Sequence, residues 1–199
     1  MELMPGTDGA LPNSRGVKLT YDDFVRFPDD GLRHELIDGE HYVTPSPNTK
    51  HQQVSLNLVF LIERWLRQKN ERVGRLFFAP FDVVFSRFDV VESDLLYMSN
   101  ERAARILTAA NVQGVPELVV EIASPGTRRR DETIKRKLYE RSGVSEYWVV
   151  DPELDLVRVY RRGGEEFARP VELSAQTGDV LTTSLLPGLE LRLSRIFRM

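Results

Sequence analysis

One stretch constrains the fold of this chain more than any other: Pro116-Glu117-Leu118-Val119-Val120-Glu121-Ile122-Ala123-Ser124-Pro125. Its apolar, β-branched centre predicts a strand covered on both faces, yet it carries a carboxylate, Glu121, into the interior. An ionised group there is costly unless a partner compensates it. Earlier in the chain, Val90-Val91-Glu92-Ser93-Asp94-Leu95-Leu96-Tyr97 also reads as a strand with an acid inside an apolar frame, and Lys135 follows soon after Glu121. Two strand-borne carboxylates and a nearby lysine are the components of a Mg²⁺-dependent phosphodiesterase site. An internal ion pair with Lys135 or an arginine, without metal, accounts for the same residues.

The rest of the composition narrows the choice. With 199 residues, 41% hydrophobic and 29% charged, the chain matches one ordinary globular domain with a full core. We expect a disordered lead-in over residues 1–17, rich in Gly, Pro, Asn and Ser, and a single domain over 18–199. The absence of cysteine excludes disulfides, thiolate zinc and cysteine nucleophiles, and suits a cytoplasmic location. No apolar run reaches the length of a membrane span, and no basic-then-apolar signal pattern opens the chain, so neither membrane nor secretion is expected. A net charge of −3 argues against nucleic-acid binding through overall charge. Locally, Arg128, Arg129, Arg130, Lys135, Arg136, Lys137 and Arg141 crowd one segment, which by itself reads as a solvated helix face.

Along the chain, Thr20 and Asp23 form a capping box for a short helix, and Asp38-Gly39 supplies the two-residue turn of a hairpin over 33–43. The longest helix opens with Thr49 as cap and Gln52 three residues on. It buries Val54, Leu58, Leu61, Ile62 and Trp65 along one stripe. Strands are predicted over 76–85, 90–98 and 117–122, a helix over 129–142 ending at Gly143, then strands over 146–151 and 154–160, with a further edge strand in the tail. This order predicts an α/β fold: a mixed central sheet flanked by helices, preceded by an N-terminal β-hairpin, with chemistry where strand ends meet helix starts.

In this arrangement Asp94 and Glu121 on neighbouring strands are the expected Mg²⁺ ligands, with the Ile122 carbonyl as a further oxygen donor and Mn²⁺ as an alternative ion. Lys135 is placed to orient or deprotonate the attacking water. On a wheel of about 100° per residue, Asp131, Lys135 and Tyr139 form a row that flanks the Ile134 and Leu138 stripe and leans toward the sheet, while Arg136 and Lys137 point elsewhere, so among these basic residues Lys135 is the one directed inward. His51, in the first turn of the long helix, could donate to a phosphate, although spacing alone makes it a solvated helix-start histidine. Glu35 and Glu40 read as surface carboxylates of the hairpin; Tyr147 and Trp148 read as core.

Several of these stretches taken together resemble a known family. Glu35-Leu36-Ile37-Asp38-Gly39-Glu40, His51-Gln52, Ser93-Asp94, the run from Pro116 to Ile122 with Ser124-Pro125, Arg130-Asp131 with Lys135 and Tyr139, and Gly143-Val144 with Glu146-Tyr147-Trp148-Val149-Val150-Asp151-Pro152 follow the order found in the bacterial "putative restriction endonuclease" (Uma-type) family of the PD-(D/E)XK nuclease superfamily. The likeness spans about residues 21–160 and weakens toward Leu186-Pro187-Gly188-Leu189. It implies a restriction-endonuclease-like core, Asp94 and Glu121 as metal ligands, Lys135 as the catalytic lysine, and Glu35 and His51 near the site. Ser93 stands where the superfamily has proline, and Ala123 where it has lysine; the resemblance implies that Lys135, from the following helix, takes over.

Two functions from different classes follow. One is a Mg²⁺-dependent endodeoxyribonuclease hydrolysing phosphodiester bonds of DNA, with RNA left open as a substrate. The other is a catalytically silent module that keeps the nuclease core for binding or assembly. Cutting both strands of a duplex commonly uses two sites, which leaves a homodimer open. No Ser-His-Asp or nucleophile-elbow pattern supports a metal-independent hydrolase.

Overall fold

The computed structural model describes residues 16–69, 71 and 73–199, so the lead-in expected over 1–17 lies outside the described residues except for Gly16 and Val17. In chain order the elements begin with α1 (Tyr21–Phe24), β1 (Arg33–Ile37), β2 (Glu40–Thr44), α2 (Thr49–Arg67), β3 (Gly74–Phe78), β4 (Val83–Ser86), β5 (Asp89–Val91), β6 (Leu95–Ser99), α3 (Asn100–Ile106), β7 (Val112–Gln113) and β8 (Leu118–Ile122). One helical rod follows, made of α4 (Arg128–Arg130), a π-helical turn (Asp131–Lys135) and α5 (Arg136–Ser142). The chain ends with β9 (Glu146–Asp151), β10 (Leu156–Gly163), β11 (Glu166–Phe167), β12 (Val171–Ser174), β13 (Val180–Leu181), β14 (Leu191–Arg192) and α6 (Leu193–Ile196).

The strands divide between a small sheet, ordered β2-β1-β5-β4-β7, and a main sheet, ordered β11-β10-β9-β8-β6-β3 with β12 also on β10. The main sheet is mixed as expected. β8 and β9 run parallel, joined by the helical rod, and the other pairs are antiparallel. The hairpin β1–β2 turns through Asp38 and Gly39, both at positive φ (54° and 74°), which a tight two-residue turn requires.

Two long strands predicted from the sequence are each split. The 76–85 run breaks at Ala79-Pro80, where proline offers no N–H to a ladder, and becomes β3 in the main sheet and β4 in the small one. The 90–98 run breaks at Glu92-Ser93-Asp94, which carry the chain from β5 in the small sheet to β6 in the main sheet. Asp94 is therefore a corner residue rather than a mid-strand one. The tail does not extend the main sheet: β13 and β14 pair with each other, and α6 packs on α2. Helix α3, capped by the Ser99 hydroxyl, is an element the periodicity did not predict.

Alternation along β8 sends its residues to two cores. Leu118, Val120 and Ile122 pack beneath α2 with Val54, Leu58, Ile62 and Leu66, so the buried stripe includes Leu66, while Leu61 and Trp65 lie at its margin. Val119 and Ala123 face the helical rod with Leu96, Leu138, Tyr139 and Tyr147. Glu121 lies between Val120 and Ile122 and so shares the rod-facing side of the sheet. The α2 cap is Asn48, one residue before the expected Thr49; its side chain accepts from the His51 N–H at 2.9 Å. Gly143 ends the rod in a left-handed conformation (φ 92°), as expected.

Candidate active site

The antiparallel pairing of β6 and β8 sets Leu95 opposite Val120 and Leu96 opposite Val119. Asp94 immediately precedes β6 at the corner and Glu121 follows Val120 on β8, so both lie at the same end of this strand pair. Asp94 Oδ2 accepts the Ile122 N–H at 2.8 Å and lies 3.2 Å from His51 Nε2, while Oδ1 is 3.3 Å from Arg33 Nη1. Glu121 Oε1 accepts from Lys135 Nζ at 3.1 Å and from the Tyr139 hydroxyl at 2.5 Å. Tyr139 in turn is 3.1 Å from Ser93 Oγ, which ties the corner to the rod.

Lys135 is 2% exposed, directed inward as the wheel has it. Its ammonium is 2.7 Å from Glu35 Oε1, 3.1 Å from Glu121 and 4.0 Å from Asp131 Oδ1. Glu35 is equally buried, so the hairpin carboxylate expected at the surface is an interior one. It also accepts the Glu92 N–H at 3.2 Å and the Thr44 hydroxyl at 3.1 Å, with Arg130 at 3.5 Å. Glu35 thus grips Lys135 from behind rather than lining the cleft. His51, expected in solvent, is 8% exposed and lines the cleft. The reason is its helix: Asn48 fixes the first turn of α2 directly over the corner. Glu40, the other hairpin acid, is exposed and accepts from the Tyr42 hydroxyl.

Asp94, Glu121, the Ile122 residue, Asp131, Lys135, His51 and Arg33 line one cleft of about 20 Å³, room for about one water-sized species. Among the described residues no three His, Asp or Glu side chains form a ready-made ligand cluster. The acids lining it, Asp94 and Glu121, offer hard carboxylate oxygens, and Ile122 is on the lining beside them. That set suits Mg²⁺, which takes few protein ligands and keeps waters. The residues present fit the ion in that respect.

The electrostatics are unevenly balanced. Four interior carboxyls (Glu35, Asp94, Glu121 and Asp131) face the cations Arg33, Arg130 and Lys135. Burial favours the neutral form of each acid, and the outcome depends on the neighbours. His51, Arg33 and the Ile122 N–H outweigh burial at Asp94 and hold its pKa below the usual carboxylate range; Lys135 and Arg130 do the same for Glu35. At Glu121 burial, helped by Asp94 and Glu35, wins over Lys135 and raises the pKa. Asp131 is raised furthest, by burial first, with Glu121 and Asp94 adding and Lys135 opposing. Lys135 itself is raised: burial would lower it, but Glu121, Glu35 and Asp131 together hold the proton on.

One site residue has no strong local signal. Arg33 reaches Asp94 and Glu92 from across the sheet corner, a contact no spacing rule predicts. Asp131 stands beside Lys135 on the helical wheel and in the Arg130-Asp131 stretch of the family resemblance; in the structure a π-helical turn spans the two and both are buried. The basic run around them is largely consumed internally, Arg128 on Asp151, Arg130 on Glu35 and Arg141 on Asp89, while Arg129 and Lys137 stay exposed.

A mixed sheet whose corner aspartate, strand glutamate and helix lysine share one cleft defines a restriction-endonuclease-like α/β protein. A family model described as Uma2, "Putative restriction endonuclease", matches residues 21–194, and the chain belongs to that family. Among solved structures, one described as a "putative nuclease belonging to DUF820" from Anabaena variabilis is similar over 90% of this chain and 97% of its own, with 20% sequence identity and a TM-score of 0.75. That likeness is one of fold. A search of curated proteins returns no match. No helix among the described residues is long and apolar enough to cross a membrane.

Proposed function

We propose that this protein is a Mg²⁺-dependent endonuclease that hydrolyses phosphodiester bonds in DNA, with Asp94, Glu121 and the Ile122 carbonyl as the ion's ligands. The observation that carries the reading is that Asp94, Glu121, Ile122 and Lys135 line one cleft, Asp94 from the corner before β6 and Glu121 from the neighbouring strand β8. When bound, the ion would polarise the scissile phosphate and help ionise water. The chain's own residues do the rest. Lys135, kept charged by its carboxylate neighbours, is a donor toward the attacking water and the charge that builds on phosphorus, not a base. Glu35 fixes that ammonium in position. His51 donates to Asp94 and steadies its carboxylate, and Tyr139 does the same for Glu121.

One observation favours the silent-module reading: Asp94 and Glu121 already have cation partners, Arg33 and Lys135, and need no ion to be compensated. A cleavage assay separates the two. Circular and linear DNA, with an RNA arm, are incubated with Mg²⁺, Mn²⁺ or EDTA. Nicking or linearisation that requires the divalent ion and is lost in Asp94→Asn and Glu121→Gln supports the nuclease. Inert wild-type protein in every arm supports the silent module. A sedimentation measurement in the same buffers reports whether a homodimer forms.

A further inference from the structure

A hydrolysis at this site must remove a proton from the attacking water, and Lys135 cannot take it. An ammonium has three N–H donors and no acceptor. Two of the three are matched by Glu35 at 2.7 Å and Glu121 at 3.1 Å. Asp131 Oδ1 is 4.0 Å from the same nitrogen, too far for a direct bond. That oxygen is buried, in a residue 2% exposed, and has no hydrogen-bond partner. It sits on the wall of a cleft that has room for about one water-sized species. A water at an ordinary distance of about 2.8 Å from both atoms would close the gap, accepting from Lys135 and donating to Asp131.

The backbone is built for this pairing. Asp131–Lys135 is a π-helical turn, in which the Arg136 N–H bonds to the Asp131 carbonyl, and the Tyr147 hydroxyl donates to that carbonyl at 3.1 Å. Such turns inside α-helices frequently mark functional sites. This one carries Asp131 and Lys135 into the interior together, while Glu132 and Thr133 between them are not buried.

We propose that Asp131 and Lys135 together hold the water that attacks phosphorus, and that Asp131 Oδ1 is the base that takes its proton. The inference rests on the nuclease reading above. In the step, the water oxygen forms a bond to phosphorus and its proton passes to Asp131. The bond from phosphorus to the leaving sugar oxygen breaks with its electron pair, and that oxygen takes a proton from solvent. Burial strengthens Asp131 as a base relative to a solvated aspartate, in the direction that general-base catalysis near neutral pH needs.

Two experiments test this on the full chain. A high-resolution crystal structure of the wild-type protein should contain a water within hydrogen-bond distance of both Asp131 Oδ1 and Lys135 Nζ; an empty position overturns the proposal whatever the variants do. In single-turnover cleavage at saturating DNA, Asp131→Asn should lower the rate constant by about 10²- to 10⁴-fold with little change in half-saturating DNA. Asp131→Ala should fall as far and be partly restored by added formate, which a purely structural role would not allow. If wild-type protein cleaves DNA and Asp131→Asn cleaves as fast, Asp131 is not the base and the nuclease reading stands. If wild-type protein cleaves nothing, the nuclease reading fails and takes the base with it.

Discussion

The carboxylate of Glu35 lies 2.7 Å from the ammonium of Lys135, one arriving from the small sheet and the other from the helical rod. This contact fastens two parts of the fold at the point where Glu121 also meets the lysine. A buried ion pair is weak evidence for stability as a pair, but removing one partner strands the other. Glu35→Ala should therefore cost about 3–5 kcal/mol. The double variant Glu35→Ala/Lys135→Met should cost clearly less than the sum of the two single changes. Urea unfolding of the four proteins measures the coupling. Additive losses would mean that the two charges do not act as a pair.

The contact also marks the boundary of what local sequence can reveal. The β8 run, the Asp38-Gly39 turn, the Gly143 stop and the row Asp131, Lys135, Tyr139 all follow from short-range signals, namely periodicity, a turn dipeptide and a capping glycine. The split of 90–98 does not, because Glu92-Ser93-Asp94 contains no glycine or proline and its bend is imposed by the two sheets it joins. For the same reason His51 and Glu35 look like solvent residues in isolation. Their burial is set by Asp94, Lys135 and Arg130, partners distant in the chain. Asp94 and Glu121 stood out only because each interrupts an apolar frame.

Stability of the ion-free protein should peak in mildly acidic solution. Glu35 and Asp94 are held below their ordinary values of 4.5 and 3.8; the stability they contribute is fully present above those values and is lost as pH falls through the lower folded ones. Glu121 and Asp131 are shifted upward from 4.5 and 3.8, so above those ordinary values the folded state binds more protons than the unfolded state, and stability declines as pH rises through their folded values. Urea midpoints in EDTA should drop as pH rises above the ordinary carboxylate values of 3.8 and 4.5, and Asp131→Asn should flatten that limb. A wild-type profile that rises across this range would contradict the burial-driven shifts.

Divalent-ion binding should release protons. Glu121 holds its proton more tightly than a solvated glutamate, and an ion ligated by its carboxylate would displace it. Calorimetric titration of Mg²⁺ or Mn²⁺ in two buffers of different ionisation enthalpy reads this directly. The apparent binding enthalpies should differ between buffers at a pH near the raised value, and the difference should shrink in Glu121→Gln. Equal enthalpies throughout would mean that the ion, if it binds, does not bind at Glu121.

Lys135 and Lys137 are two residues apart on the rod and should behave as opposites. Lys135 is interior, so Lys135→Ala would leave a cavity and two facing carboxylates, and Lys135→Met, closer in length, is the better probe. It should lower single-turnover cleavage by about 10²- to 10³-fold, the usual cost of removing a donor from the charge that develops in the transition state. Lys137 is exposed, and its side chain can act only through long-range attraction of phosphates. Lys137→Ala should weaken DNA binding modestly and reduce the slope of log affinity against log salt by about one, with the chemical step unchanged at saturating DNA. Filter binding over a salt series and quenched-flow cleavage measure the two effects separately. Loss of turnover in Lys137→Ala with turnover retained in Lys135→Met would reverse the assignment, because the catalytic ammonium would then lie on the outer face of the rod.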